Sequence, residues 1–444
     1  MRRHHPQNVQ RQFLRVVFCD NANAIRAKAI HLGILAENMD YPVSITAAQL
    51  AEPVMYDGVV PDSGLGPVGE VWLIPDWSTC KILPYAPSHA RAIGDMIQDG
   101  QAWSLCPRYF LKRAIAAAKQ AGIEVMAAFE NEFSLLHSSN NEIIPTDDTV
   151  FASTLGMDLN RKIIDAIADA LVAQDMTVER YYPESAPGQH EISIRYAEAL
   201  QAADNQIAFR ETVRAVAIEH GLKASFLPKI FADKAGNGCH LHLSLWQDGK
   251  NITGDGSGKL SSTALAFIAG ILHHLPALMA LTTPSTNSYR RIRPHFWSGA
   301  FAAWGYDNRE AAVRVPSNPV PPSPTHFELK TSDASANPYL ALGAVIFAGL
   351  DGIARNLNPG DPVDIDPGLF SEAELTERGN AARKIERLPQ NLGEAIEHLS
   401  GDRLLLDALG AELNRAYLAV RKAEWEAMKD MELETEVNLL LERY

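Results

Sequence analysis

The spacing of apolar positions changes character along the chain. Between residues 12 and 86, short apolar runs (FLRVVF, VWLIP) alternate with turn-forming clusters (YDG, PDSGLG, PDWST), the texture of a small β-rich unit. From about residue 107 the runs lengthen. PRYFLKRAIAAAKQAG opens on Pro107 and closes on Gly122, the frame of a helix. The same reasoning predicts helices over 158–174 and over 204–220, the latter opening at Asp204 and stopping at Gly221. YLALGAVIFAGL (339–350) reads as a buried helix, too short to span a bilayer. From 371 onward the chain is charged and helical in period. The pattern predicts an α+β protein of two units, a β domain over 1–106 and a larger α+β domain over 107–444.

Within the second unit, four stretches alternate with period two, which in a strand sends i and i+2 to one face. AAFENEFSLL (127–136) puts Glu130 and Glu132 opposite Phe129, Asn131 and Phe133. GQHEISIRY puts Glu191, Ser193 and Arg195 opposite His190, Ile192 and Ile194. GCHLHLSLW puts His240, His242 and Ser244 opposite a leucine face, and HFELKTSD pairs Glu328 with Lys330. Glu184 precedes a Pro-Gly turn that can bring it near Glu191. Alternation in one strand marks a solvent face. Glutamates on four strands are a different matter, because carboxylates held together repel unless cations neutralise them. Oxygen-dominated ligation favours Mg²⁺ or Mn²⁺ over zinc, and so many carboxylates favour two or more ions.

Composition narrows the function. Over 444 residues, 46% hydrophobic and 21% charged, the chain has an ordinary globular balance, and its net charge of −14 argues against a nucleic-acid partner. Cys19, Cys80, Cys106 and Cys239 show no CxxC spacing, which predicts neither a disulfide framework nor a zinc knuckle and suits a reducing cytoplasm. The basic N-terminus MRRHHPQNVQRQFLRVVFCD is interrupted by Arg15 and does not read as a signal peptide, so no membrane is expected. Counter-charge comes from NSYRRIRPHFWSGAFAAWGYDNREAAVRVP (287–316), where Arg309 and Arg314 lie among apolar residues, in the manner of a clamp for carboxylate or phosphate oxygens. TGDGSGKLSS (253–262) lacks the glycine spacing and the Ser or Thr of a phosphate loop and reads as a turn.

FENEF, GNGCHLHLSLW, NSYRR…NRE…R-VP and FELK…ANPYL…AGLDGI resemble, in order, the signature blocks of the glutamine synthetase family. The resemblance implies an N-terminal β-grasp domain, a catalytic α/β domain whose strands line a funnel, and a dodecamer of two stacked hexameric rings with active sites shared between neighbours. It implies one metal on Glu132, Glu184 and Glu191 and another on Glu130, His240 and Glu328. It implies ATP as co-substrate near His242, Ser244 and Trp246, and L-glutamate held through Arg291 with Gly236 nearby. Arg309, Arg314 and Lys330 would stabilise the transferring phosphoryl group.

Several positions depart from the ammonia-using pattern. Trp297 stands where the flap carries a glutamate, and an indole cannot act as a base. Lys330 replaces an arginine, Ala235 an asparagine, and Glu70 an aspartate. Asp62, in preference to Asp57, is assigned as the N-terminal aspartate reaching the neighbouring site, and no adenylylation tyrosine loop is found. The expectation is an ATP-dependent ligase joining the γ-carboxylate of glutamate to an organic amine. The alternatives are glutamine synthetase itself, using ammonia, or a non-catalytic scaffold or sensor.

Overall fold

The short apolar runs of the N-terminal part pair into one mixed sheet. In a computed structural model, residues 11–38, 41, 43–139, 142–317, 325–371, 373–375 and 385–444 are described; the first ten residues, on which much of the leader reading rests, lie outside them. Strands β1 (Phe13–Cys19), β2 (Ile25–His31), β3 (Val43–Thr46), β4 (Glu70–Leu83), β5 (Ala86–Gln98) and β6 (Gln101–Ala102) run in the order β2-β1-β5-β4-β3, with β6 on β5. The PDWST cluster is not a turn between strands, contrary to the sequence expectation. It lies inside β4, where pairing with β5 slips between Asp76 and Lys81, and Asp76 takes up the Ser78 amide at 3.1 Å. Turn-forming residues here make a bulge.

The second sheet has eleven strands among the described residues. Its path is β15-β16-β17-β13-β7-β10-β9, built from β7 (Glu124–Ser139), β9 (Val178–Pro183), β10 (Gln189–Ile194), β13 (Cys239–Gln247), β15 (Phe301–Tyr306), β16 (Ala311–Val315) and β17 (Phe327–Leu329). The short strands β8 (Glu142–Pro145), β11 (Ala197–Glu198) and β12 (Leu222–Ser225) add to β7, and β14 (Lys250–Asn251) adds to β13. Phe129, Phe133, Ile192, Leu241, Leu243, Phe327 and Leu329 form its buried apolar face. They join one core with the helices Ala199–Glu219, Ser262–Thr282 and Pro338–Ala354.

Helix Pro338–Ala354 is the predicted buried helix. Its partner, Ser262–Thr282, is long and apolar enough to cross a membrane, yet 83% of its apolar window is buried inside the fold. The two approach closely at Gly270 and Gly352: a Cβ on either would come within 2.1 Å of a carbonyl oxygen of the other helix. The predicted helix over 158–174 runs Thr154–Val172, and the one framed by Pro107 runs Pro107–Gln120.

One helix start was misplaced. The helix expected to open at Asp204 begins at Ala199, and Asp204 sits inside it, accepting from Arg108 at 2.8 and 3.0 Å and from Tyr339 at 2.7 Å. Arg108 also reaches Asp76 and Asp95 at 2.8 Å. This buried charge network, and not helix capping, fixes the aspartate and ties β4 and β5 to the helical layer. All four cysteines are free.

Candidate active site

Strand register assembles the site. Across β10 and β7, Glu191 faces Glu132; across β7 and β13, Glu130 faces His240; across β13, β17 and β16, His242 faces Glu328, which faces Arg314. Like charges directly opposite are destabilising, so this row is built for something positive. Part of that charge is internal. His242 Nε2 lies 3.2 Å from both Glu130 and Glu328, His240 Nδ1 lies 3.2 Å from Glu130 and 3.6 Å from Glu328, and Arg314 pairs with Glu328.

The titration pattern shows how far this falls short. Burial would raise both Glu130 and Glu328. His242 outweighs it at the former, and Lys330 with His242 at the latter, so both are held well below the usual carboxylate range. Glu191 and Glu184 go the other way: burial raises both, reinforced by Glu130 and Glu132 at Glu191 and chiefly by Glu132 at Glu184. Both carboxyls are thus made harder to ionise, an effect that nearby cations would reverse.

The chain's residues fit divalent metals. One ligand atom from each of Glu130, His242 and Glu328 lies within 4.8 Å of the others, and both Glu328 oxygens are buried without a well-aligned hydrogen bond. The sequence expectation named His240 in this set and His242 near ATP. Here His242 closes the tighter group, because both histidines project from one face of β13 and His242 stands directly opposite Glu328. Glu132 is oriented by two residues the sequence reading missed: Gln189 and the Gly238 amide donate to its Oε2 at 2.8 and 2.9 Å.

Beside the cluster, Arg291 is buried, donates to the Ser332 carbonyl at 2.9 Å and keeps an unpartnered Nε. Gly236 packs on it, since a Cβ there would lie 3.0 Å from the Arg291 side chain and 2.2 Å from the Pro228 carbonyl. On the other side, His242, Ser244 and Trp246 line a cavity of about 550 Å³ with Arg180, Tyr196 and His326. Trp246 donates to Ser244 at 2.9 Å and packs near Tyr196, and the His326 ring lies 5.3 Å from that of His242. Arg180, Tyr196 and His326 had no sequence signal, because their place depends on strands distant in the chain.

Arg309 and Trp297 form a separate group. The Arg309 guanidinium lies 6.0 Å from the Trp297 ring centre, and both line a cavity of about 410 Å³. The Trp297 amide donates to Glu310 at 2.8 Å. Lys330 is buried, its amide donating to the Ala312 carbonyl at 2.8 Å. Asp62 joins none of these groups: it is exposed, in a left-handed conformation (φ 61°), with its carbonyl accepting from Arg415 at 2.7 Å.

Comparison with known proteins gives this geometry its context. Residues 104–440 match the glutamine synthetase catalytic domain. The chain is 34% identical to type-1 glutamine synthetase 1 of Dictyostelium discoideum over 99% of its own length and 91% of that protein's. It is 37% identical to a gamma-glutamylpolyamine synthetase of Streptomyces coelicolor over 92% and 88% respectively. Among solved structures, a GmaS–ADP complex superposes with a TM-score of 0.83 at 31% identity, over 97% of this chain and 96% of that one. With the matched domain, the full-length relatives and the carboxylate row in agreement, the chain belongs to the glutamine synthetase family of ATP-dependent, divalent-metal-using ligases.

Proposed function

We propose that this ligase phosphorylates the γ-carboxylate of L-glutamate with ATP and transfers the γ-glutamyl group to an organic amine. The observation that carries the acceptor class is Trp297, 55% exposed beside Arg309 where a flap carboxylate is expected. An indole offers packing surface to a carbon skeleton and a ring face to an ammonium, worth roughly 0.5–2 kcal/mol, neither of which distinguishes ammonia favourably. The Streptomyces coelicolor relative is named for a polyamine acceptor. The ammonia reading has its own support, since several relatives of similar identity are named glutamine synthetase.

In the proposed reaction, a γ-carboxylate oxygen attacks the terminal phosphorus of ATP and ADP leaves. The amine nitrogen then attacks the acyl carbon, phosphate leaves, and the ammonium proton passes to a base. Arg291 would grip the α-carboxylate of glutamate and Gly236 would leave it room. Arg309, Arg314 and Lys330 would meet the charge on the transferring phosphoryl group. His242, Ser244 and Trp246 would line the nucleotide site, and Asp62 of a neighbouring subunit, with Glu184, would be the candidates for the base. Glu130, Glu132, Glu184, Glu191, His240 and Glu328, with His242 beside them, would hold two or more Mg²⁺ or Mn²⁺ ions; such ions supply Lewis-acid neutralisation of phosphate oxygens. A dodecamer of two hexameric rings, a domain division at residue 106 and a cytoplasmic location belong to the same reading.

The test is phosphate release with ATP, Mg²⁺ and glutamate against ammonia, methylamine, putrescine and aniline. An organic amine should exceed ammonia at least about tenfold in kcat/KM, ~1.4 kcal/mol. Replacing Trp297 with Glu should narrow that preference. Ammonia as the best substrate of the unaltered protein would overturn the acceptor assignment.

A further inference from the structure

The second cavity has a chemistry of its own. Its wall includes Trp297, Tyr306, Asp307, Glu310, Asp364 and Asp366, with Arg309 as the cationic residue and His295 beside them. Glu310 is 6% exposed; its Oε1 accepts the Trp297 amide at 2.8 Å, while its Oε2 is buried without a well-aligned hydrogen bond. A buried carboxylate oxygen short of a well-aligned donor is costly and calls for a cation. Burial raises this carboxyl above its ordinary range and Asp366 adds to that, while the amides of Trp297 and His295 offset it only in part.

Two of the other carboxylates are engaged in holding the wall. Asp366 pairs with His295 at 2.8 Å and accepts the Gly368 amide at 2.7 Å, and Asp307 accepts the Ser317 amide at 2.8 Å. Asp364 is exposed. His295 and Trp297 both hold left-handed backbone (φ 66° and 53°), a conformation costly for residues with side chains, so the Glu310 and Asp366 contacts fix the flap against strain. Arg309 rests on the Trp297 ring, which shows that this aromatic face already carries a cation.

We propose that this cavity binds the distal ammonium group of a diamine or polyamine acceptor, with Glu310 as its principal contact and Trp297 against the methylene chain. The inference rests on the organic-amine reading and sharpens it: the preferred acceptor carries two cationic nitrogens. An aromatic wall backed by a buried carboxylate short of well-aligned donors suits an alkylammonium. A metal needs several convergent ligands, and among the described residues that convergence occurs at Glu130, His242 and Glu328. Arg309 and Trp297 line this cavity and are also among the residues proposed at the reacting end, which is the basis for assigning both nitrogens of one acceptor to this part of the site.

The experiment compares 1,4-diaminobutane with butylamine, which keeps the chain and removes the second charge. With the full-length protein, ATP, Mg²⁺ and glutamate, KM for the diamine should be at least tenfold lower than for butylamine. Glu310→Gln, which preserves an acceptor for the Trp297 amide, should bring the two KM values together, and Asp364→Asn should narrow the gap partway. Equal KM values in the unaltered protein, or a gap that survives both substitutions, would overturn the proposal. Calorimetric titration of 1,4-diaminobutane separates this from the reaction itself. If no amine stimulates phosphate release, the organic-amine reading fails; diamine binding that Glu310→Gln weakens at least fivefold would still support the cavity assignment, and no detectable binding would remove it.

Discussion

Glu328 carries the electrostatic problem of the site in one side chain. It is fully buried, 3.2 Å from His242 and paired with Arg314, with both oxygens short of a well-aligned hydrogen bond. Breaking a buried pair by removing one partner leaves the other charges uncompensated, at about 3–5 kcal/mol. Glu328→Ala is therefore expected to lower the unfolding free energy measured by chemical denaturation by an amount of that order and to abolish phosphate release. Metal removal makes the complementary test. Chelation should eliminate activity and lower the melting temperature of the unaltered protein, Mn²⁺ should restore both, and the restoration should be much smaller in Glu328→Ala. An unchanged melting temperature on chelation would refute the metal assignment. Residues of this kind were legible because side chains in a strand alternate with period two, so Glu130, Glu132, Glu191, His240 and Glu328 announced their shared face. Gln189, Gly238 and Glu310 were not, since each acts by contacting a residue at least thirteen positions away.

Between elements, buried charge decides positions that local pattern cannot. His274, on helix Ser262–Thr282, meets Asp402 at 2.6 Å and Asp351 at 3.1 Å. Asp351 lies on helix Pro338–Ala354, and Asp402 caps helix Arg403–Leu409. Burial disfavours the imidazolium, but the two aspartates outweigh it and raise the His274 pKa above its ordinary value. A raised folded-state value means that stabilisation is fully present below the unfolded pKa of about 6.5 and is lost as pH rises through the folded one. His274→Gln should accordingly cost most near pH 6, on the order of 1.5–3 kcal/mol. The cost should shrink toward pH 9 in denaturant midpoints recorded across that range; a pH-independent cost would refute the charged assignment. The same kind of contact explains the misplaced helix start. Asp204 has the composition of a cap but is committed to Arg108, and an aspartate's tertiary partner is invisible in a sequence window. Gly122 ended its helix where the pattern said, at φ 75°.

At the scale of the whole molecule, the open question is whose site Asp62 serves. It is exposed on a loop anchored by Arg415 of helix Ala411–Met428, and it has no described contact with the carboxylate row, whereas Arg291 is buried beside Gly236 within the same chain. In the proposed head-to-tail ring, each interface would join two different patches and one subunit would complete the site of the next. Subunit mixing distinguishes the arrangements. Asp62→Ala and Arg291→Ala homomers should each be inactive if both residues are needed. In rings re-associated at random from equal amounts of the two, a shared site recovers both native residues when an Arg291→Ala subunit lends Asp62 to an Asp62→Ala subunit. This occurs at about a quarter of interfaces in a closed heterologous ring. A site built within one chain recovers nothing, because every subunit carries one of the two changes. Recovery near a quarter of the unaltered specific activity, in rings shown by mass spectrometry to have exchanged subunits, would establish the shared site. Zero recovery would place Asp62 and Arg291 on the same side, and an active Asp62→Ala homomer would remove Asp62 from the chemistry and leave Glu184 as the base.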